Sequence, residues 1–541
     1  MKMNGQQTVK TYHERSKHGM DHYADGPGHL DWDTQPNPVR NFAGCKNVEL
    51  PFNADSILTP YATLFGGPPP DPYPLDIKGI AALMELSAGI SAWKAFGDTK
   101  WALRCNPSSG NLHPSEFYMI TGGASGIAAG VYHYDPYNHS LEMRCAPPAV
   151  FGDKLPDGSI IVGLSFIQWR EEWKYGERAF RYCQLDIGHA IASVRTAAAS
   201  LGWKSAALME PSDETAAKLM GIDRLGDFEN AEKERAALLI HVSASANAVL
   251  DNACIEEMAA SSAAGRWCGS ANIISYEHEF FWPEAEKAAE ATIKPATVEQ
   301  PWAMPTIMEP QPTPCEDTAA HIIRKRRSAQ AFDGRTVMSE EAFYRMLDIT
   351  LPRLNSAPWD TLSWSPRAHI ILFVHRVEGL NPGIYAFLRR EGVFAKLRAA
   401  MRPQFDWIKP DNAPPHLPLF HLASSDAQKM AQMVCCFQDI AAMGAFSVGI
   451  LTEFDGSLEN GAWWYKRLFW EAGMIGHCLY LEAVAAGMSG TGIGCFFDDS
   501  FHDILGLRGA SFQSLYHFTV GAAVEDSRPS TLPAYSHING R

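Results

Sequence analysis

The sequence lacks most of the features that announce a specialised class of protein. No apolar run reaches the roughly 18 to 20 residues that cross a bilayer, so no membrane partner is expected. The opening residues Met1 to Gln7 lead into a charged stretch with no apolar segment behind it, which argues against secretion and for a cytoplasmic location. Eleven cysteines among 541 residues form no Cys-x-x-Cys pair. That spacing excludes a disulfide scaffold and offers no recognisable metal site. Adjacent Cys435 and Cys436 are badly spaced for one tetrahedral ion and read as small buried hydrophobes. Positive charge is scarce too: 46 Lys and Arg face 61 Asp and Glu, a formal net charge of -15. A surface that coats nucleic acid is therefore not expected, while a local basic pocket is still compatible.

What is present suggests two domains, since a chain this long outgrows a single hydrophobic core. Residues 1–75, rich in Pro, Gly, Asp and Asn, read as an irregular arm. Ile80, Leu83, Leu86 and Ile90 predict a helix over Ile77 to Ala95. Strands are predicted over Glu116 to Thr121 and Gly130 to Asp135. A long helix from Arg178 to Leu201, with Leu185, His189, Ala192 and Thr196 on one face, stops at Gly202. The strand Ala237 to Val242 then completes a first domain, 76–255. Residues 256–318 form a connector containing the helix Pro283 to Thr292 and then Pro295, Pro301, Pro305, Pro310, Pro312 and Pro314, a density that resists packed elements.

The second domain, 319–541, repeats the order of the first. Gly383 to Phe387 answers Gly130 to Tyr134, Leu397-Arg398 answers Leu141 to Arg144, and a helix from Tyr465 to Gly487 answers the one from Arg178. Aligning Gly188-His189 with Gly476-His477 sets Gly202 opposite Gly490. Such a degenerate duplication predicts two α+β halves packed as a pseudo-dimer within one chain, which is monomeric as a result.

Three segments suit a planar, phosphorylated ligand. In Arg104 to Pro114, Pro107 and Gly110 shape a tight loop, and Ser108, Ser109 and Asn111 supply short polar groups. Read alone, that loop fits a well-capped turn equally well. Arg324-Lys325-Arg326-Arg327-Ser328 concentrates positive charge suited to phosphate, although any isolated pair of these fits a solvated helix end. Gly490-Thr491-Gly492-Ile493-Gly494 spaces glycines so that backbone N–H groups can approach a ring edge. It is not the dinucleotide fingerprint, having neither the spacing nor the strand-to-helix context.

Together with Trp173 to Tyr182 and Thr491 to Asp499, these segments make the chain resemble the nitroreductase superfamily of FMN enzymes. The likeness is to its SagB-type branch, related to the thiazoline and oxazoline oxidases. The resemblance implies the nitroreductase fold and one FMN between the halves. Arg326 and Ser328 would grip its phosphate, joined by Arg528, and Arg327 of the same motif would also be a cofactor-binding residue. Ser108, Ser109 and Asn111, with Arg104 and Pro107 in the same loop, would meet the ribityl chain and ring, and Gly492, Ile493 and Gly494 would lie near N5. Gln330 stands where relatives carry Lys or Arg near N1 and offers reduced flavin only a hydrogen bond, with Arg104 or Lys325 as the residues that could substitute for the charge. Tyr175, Tyr182 and His113 are the candidate acid–base residues, His189 reads as a packing residue, and Asp498 and Asp499 as loop anchors.

The activity implied is hydride transfer through flavin N5, as a SagB-like dehydrogenase or oxidase or as a nitroreductase. The substrate would be small or peptide-derived, with NAD(P)H or oxygen as redox partner. Because Trp359 to Trp364 replaces the Pro-Ser loop in the second half and Lys204-Ser205-Ala206 stands opposite Gly492 to Gly494, the second cleft is expected to be empty or filled by side chains. The same decay also supports an alternative, a flavin-binding pseudoenzyme or a partner subunit of a peptide-modifying complex.

Overall fold

The computed structural model of the chain describes residues 4–245, 248, 250–300 and 302–538, with only the backbone of 149–151. Met1 to Met3 and Pro301, used above, lie outside the described residues.

Each half is built on an antiparallel sheet. In the first, the spatial order is Arg266–Trp267, Ser140–Ala146, Gly130–Asp135, Ser115–Thr121, Ser159–Phe166, Arg235–Ser243 and Lys204–Leu208, with Lys46–Glu49 also pairing to Ser140–Ala146. In the second it is Leu419–Ser424, Gly383–Phe387, Ala368–Val374, Phe446–Glu453, Phe512–Gly521 and Ser489–Ile493. Strands in the middle of such a sheet alternate between its two faces. Phe117 and Met119 thus enter the large core shared with the long helices, and Tyr118 and Ile120 pack with Leu219, Met220, Ile255 and Met258 on the other side. Sheets covered by helices in this way give the α+β class that the sequence predicts.

The halves meet through two 22-residue helices, Ala179–Ser200 and Trp464–Ala485. Each is followed by a left-handed glycine, Gly202 or Gly487, both at φ +70°. Each then runs into a five-residue edge strand, Lys204–Leu208 or Ser489–Ile493. Superposing these units places Gly188 opposite Gly473 and Leu185 opposite Trp470, and the contacts obey the pairing. A Cβ on Gly188 would lie 2.3 Å from the carbonyl oxygen of Trp470, and one on Gly473 would lie 2.3 Å from that of Leu185. Reciprocal contacts of this kind define a pseudo-twofold axis, here at the helix crossing. The core cluster runs through both helices without interruption.

Four expectations need correcting. The true register sets Gly202 opposite Gly487, not Gly490, so Lys204-Ser205-Ala206 answers Ser489-Gly490-Thr491. The helix from Ile77 ends at Ala88, because the chain turns at Gly89, where a Cβ would strike the Glu85 carbonyl at 2.6 Å. Ile90–Phe96 and Thr99–Arg104 then form a hairpin, to which Ser530–Leu532 from the far end of the chain adds a third strand. The counterpart of Ser140–Ala146 is Leu419–Ser424, whereas Leu397 and Arg398 belong to a helix, Phe394–Ala400, inserted between strands. Finally, the first 75 residues are not merely irregular. Gly5–Arg15 is a helix whose buried His13 contacts Tyr465 and Gln513 of the second half, and Lys46–Glu49 joins the first sheet. Pro295, Pro305, Pro310, Pro312 and Pro314 lie outside helices and strands. No helix of the described residues is long and apolar enough to cross a membrane.

Candidate functional site

A cavity of about 900 Å³ opens between the halves. The first half contributes Arg104 and Asn106 to Asn111, Tyr175, Tyr182, Asp186 and His189 to its wall. The second contributes Lys325 to Gln330, Tyr480, Gly492 to Cys495 and Tyr516. The wall thus brings together every site residue expected from the sequence except His113 and Arg528. The Arg528 guanidinium is exposed and held by Asp526 at 2.8 and 2.9 Å, so a carboxylate two residues away claims it.

The Pro-Ser loop owes its shape to its own hydrogen bonds. The Ser109 N–H and hydroxyl donate to the Asp186 carboxylate, the hydroxyl at 2.8 Å. Ser108 Oγ accepts from the His113 amide at 2.8 Å, and Asn111 Nδ2 donates to the Ala102 carbonyl at 2.9 Å. Gly110, Asn111 and His113 all lie in the left-handed region, and the two non-glycine residues hold a backbone state that is strained unless the surroundings fix it. Arg326 supplies one such restraint from the other half. Its Nε and Nη2 donate to the carbonyls of Cys105 and Arg104 at 3.2 and 3.0 Å, and its guanidinium lies 5.1 Å from the Tyr480 ring centre. Among the described residues Nη1 of Arg326 has no partner.

The glycine loop carries a different constraint from the one its sequence suggests. A Cβ on Gly492 would lie 1.8 Å from the Tyr516 hydroxyl, and one on Gly494 2.0 Å from Tyr182 Cε1. The Gly492 N–H already donates to Tyr480 Oη at 2.9 Å. Glycine is therefore required here by the tyrosines that line the cavity. Asp498 and its neighbour anchor the loop as expected: Asp498 binds Arg181 at 2.7 Å and Arg178 at 3.1 Å, and Asp499 binds Lys17 at 2.9 Å. Arg178 in turn donates to the Gly494 carbonyl.

The titratable groups on the wall divide by charge. Burial raises the Tyr175 and Tyr182 phenols, whose rings are 4.3 Å apart. At neutral pH they are donors, not bases. Burial pushes Asp186 up to about 7, against the opposing hydrogen bonds from Ser108 and Ser109. Burial also keeps His189 neutral, with Nε2 3.1 Å from the Tyr516 hydroxyl. Arg104 is brought down to about 10, again by burial. Asp186 was missed by the sequence reading, although Tyr182, Asp186 and His189 follow helical spacing on one face. Lys174, beside Tyr175, was also passed over; burial lowers its ammonium.

The pseudosymmetric cleft is shut. Arg195, equivalent to Tyr480, binds Asp360 at 2.7 and 2.8 Å, and Ser205 bonds Thr361 at 2.7 Å. Trp359, Trp364 and Trp302 of the connector leave a residual void of about 10 Å³. Arg467, equivalent to Tyr182, reaches Glu299 of the connector at 2.8 Å.

This is a duplicated α+β fold with one open interdomain cleft, and its likenesses agree with that description. A structure described as a nitroreductase from Anabaena variabilis superposes over 96% of this chain and 99% of its own, with TM-score 0.69 and 19% identity. The chain therefore has the nitroreductase fold that the motif resemblance implies. A protein named as a nitroreductase in Methanocaldococcus jannaschii is 26% identical over 137 residues, 24% of this chain and 66% of the relative. The trifolitoxin-processing protein of Rhizobium leguminosarum bv. trifolii is 35% identical over 111 residues, 18% of this chain. The matched part spans only 29% of that relative's length. No family model matches the chain.

Proposed function

We propose that the chain is a flavoprotein oxidoreductase, holding one FMN between its halves and transferring hydride through flavin N5. One observation carries the reading: the Pro-Ser, basic and glycine segments, distant in sequence, converge on one cavity large enough for a cofactor, while the equivalent cleft is shut.

The wall fits such a group. Lys325, Arg327 and the free Nη1 of Arg326 gather positive charge beside Ser328, a phosphate-binding combination. Asn106 Oδ1 and His189 Nδ1 are buried on this wall without a protein partner, and buried polar atoms are normally satisfied. When bound, FMN supplies two-electron chemistry at N5. The chain's own residues then orient the substrate and move protons. Tyr175 and Tyr182 donate hydrogen bonds from their phenols, and Asp186 exchanges a proton near neutral pH. Gln330, exposed and unpartnered among the described residues, offers a hydrogen bond without charge. Arg104 and Lys325 are the cations on the wall that can compensate.

The substrate class proposed is a peptide-derived or other small heterocycle, in keeping with a SagB-like dehydrogenase or oxidase. The name of the trifolitoxin-processing relative favours a peptide. NAD(P)H or oxygen completes the redox cycle, and the chain acts as an intrachain pseudo-dimer in the cytoplasm. A second reading, a flavin-binding subunit of a peptide-modifying complex, is favoured by Gln330.

The test is the absorption spectrum of the purified chain after FMN is added and excess removed. One FMN per chain is expected; two would overturn the closed cleft, and none would overturn the flavin. Arg326→Ala should weaken retention by about tenfold or more, and Arg324→Ala much less, since Arg324 binds Asp55 and Glu85 away from the cavity. Equal retention would sink the assignment of the basic segment.

A further inference from the structure

We infer that Cys436 and Cys495 form a redox-active dithiol in the cavity wall, with Cys495 the attacking thiolate and Cys436 the resolving thiol. Their sulfurs are 2.8 Å apart. Sulfurs joined by a bond sit about 2.0 Å apart, so a small rotation closes the pair. Both cysteines are free, and Cys495 lines the cavity directly after Gly494.

Two features hold the pair in place at a cost to the backbone. Cys436 and Phe437 are consecutive non-glycine residues in the left-handed region, at φ +53° and +58°, a conformation that persists only where the surroundings impose it. Those surroundings stitch the two segments together. Gln438 Nε2 donates to the carbonyls of both Cys435 and Cys495, at 2.9 and 3.1 Å, and the Phe497 amide donates to the Val434 carbonyl at 2.7 Å. Cys436 is thus turned toward Cys495, whereas its neighbour Cys435 is buried against His517 at 3.5 Å. The sequence expectation that both adjacent cysteines are inert hydrophobes holds for Cys435 only.

The surroundings also assign the roles. His18 Nδ1 accepts from the Ala24 amide at 2.9 Å, so the proton of the neutral ring sits on Nε2. His18 is bridged to Phe497, two residues beyond Cys495, and its ring favours the thiolate of Cys495. Arg178, fixed by Asp498, adds positive charge. The Cys495 sulfur is drawn down to about 5 by the Cys436 thiol, His18 and Arg178, and the Cys436 thiol is raised correspondingly.

The chemistry with a hydroperoxide is balanced in two steps. Cys495 thiolate attacks the peroxide oxygen, the O–O bond breaks, and with hydrogen peroxide the leaving hydroxide takes a proton to become water. Cys436 sulfur then attacks the Cys495 sulfenic acid, releasing a second water as the S–S bond forms. Two thiols are oxidised and one peroxide is reduced.

The test uses the full chain with stoichiometric hydrogen peroxide, followed by alkylation and mass spectrometry without reductant. A loss of about 2 Da and a single cross-link between the peptides bearing residues 436 and 495 are expected. Cys435→Ser should keep the cross-link. Cys436→Ser should instead accumulate a sulfenic acid on Cys495, trapped by dimedone, and Cys495→Ser should abolish both products. At neutral pH Cys495 should also alkylate at least about tenfold faster than exposed Cys268. A cross-link through Cys435, or Cys495 reacting no faster than Cys268, would overturn the proposal.

Discussion

The pseudo-twofold axis makes a sharp prediction at Gly473. Replacing it by Ala adds one methyl group, which in an open helix stabilises by up to about 1 kcal/mol. Here the new Cβ would fall 2.3 Å from the Leu185 carbonyl and 3.0 Å from Gly188 Cα. Both obstacles are backbone, so no rotamer change relieves them, and the helices must separate by about 1 Å to reach ordinary contact. Overpacking costs roughly 1 to 3 kcal/mol. With a rigid obstacle the upper end applies, and a net loss of about 2 kcal/mol remains after the propensity gain. The separation also moves Tyr182, Asp186 and His189 away from Tyr480 across the cavity, and displacements of about 1 Å at a site can cost about 100-fold in rate. Denaturant unfolding of Gly473→Ala, with Gly456→Ala as control, measures the first effect. Gly456 lies in the helix Phe454–Leu458 with only Lys396 Nζ near its Cβ position, at 3.9 Å, so that control should be neutral or slightly stabilising. A Gly473→Ala protein as stable as the wild type would refute the close crossing and the axis drawn through it.

Two other perturbations probe the two clefts. Because the Asp186 carboxyl is raised to about 7 in the fold and an exposed Asp titrates near 3.9, the fold holds this proton more tightly than the unfolded chain. Its contribution to stability is fully present below about pH 4 and is lost as pH rises through about 7; Asp186→Asn should flatten that part of the stability profile, and an unchanged profile would contradict the assignment. In the closed cleft, Asp360→Ala strands the Arg195 guanidinium, which is almost wholly buried, and should cost about 3 kcal/mol in denaturant unfolding while leaving the FMN stoichiometry at one per chain.

The parts of this fold that were legible in the sequence are those where one element is uninterrupted. Gly130–Asp135 and the two long helices carry their full pattern between clear stops. Misreadings cluster where a local signal outlasts its element. Ile90 continues the helical spacing of Ile80, Leu83 and Leu86, yet the backbone has already left for a hairpin at Gly89. The Gly-His pairs at 188 and 476 suggested one register, but steric need at the crossing decides another, with Gly473. In the site, residue types were readable and their tasks less so. Arg326 was legible as a basic residue of the cleft, while its grip on the Arg104 and Cys105 carbonyls depends on a loop more than 200 positions away. Asp186 shares a helix face with Tyr182 and His189, but the spacing alone does not show that this face borders a cavity.

The corrected register also explains why one cleft is open and the other closed. Position by position, the open cleft carries Tyr480, Asp186 and Tyr182 where the closed one carries Arg195, Glu471 and Arg467. The first set ties down only short groups: Tyr480 takes Ser328 at 2.8 Å and Asp186 takes Ser109. The second set consists of longer charged side chains, each held by a polar partner, with Arg195 and Asp360 paired across the gap. Arg195 holds Asp360, Glu471 accepts from Arg389 and the Arg367 amide, and Arg467 draws in Glu299 of the connector. Glu299 in turn brings the connector across the opening, where the Trp302 amide donates to the Ser363 carbonyl at 2.9 Å. Prolines suit that stretch because they lack the amide donors that a covering strand would leave unpaired. Closure is therefore a charge-paired arrangement and not a passive collapse, so removing single partners should cost stability without restoring a second cavity.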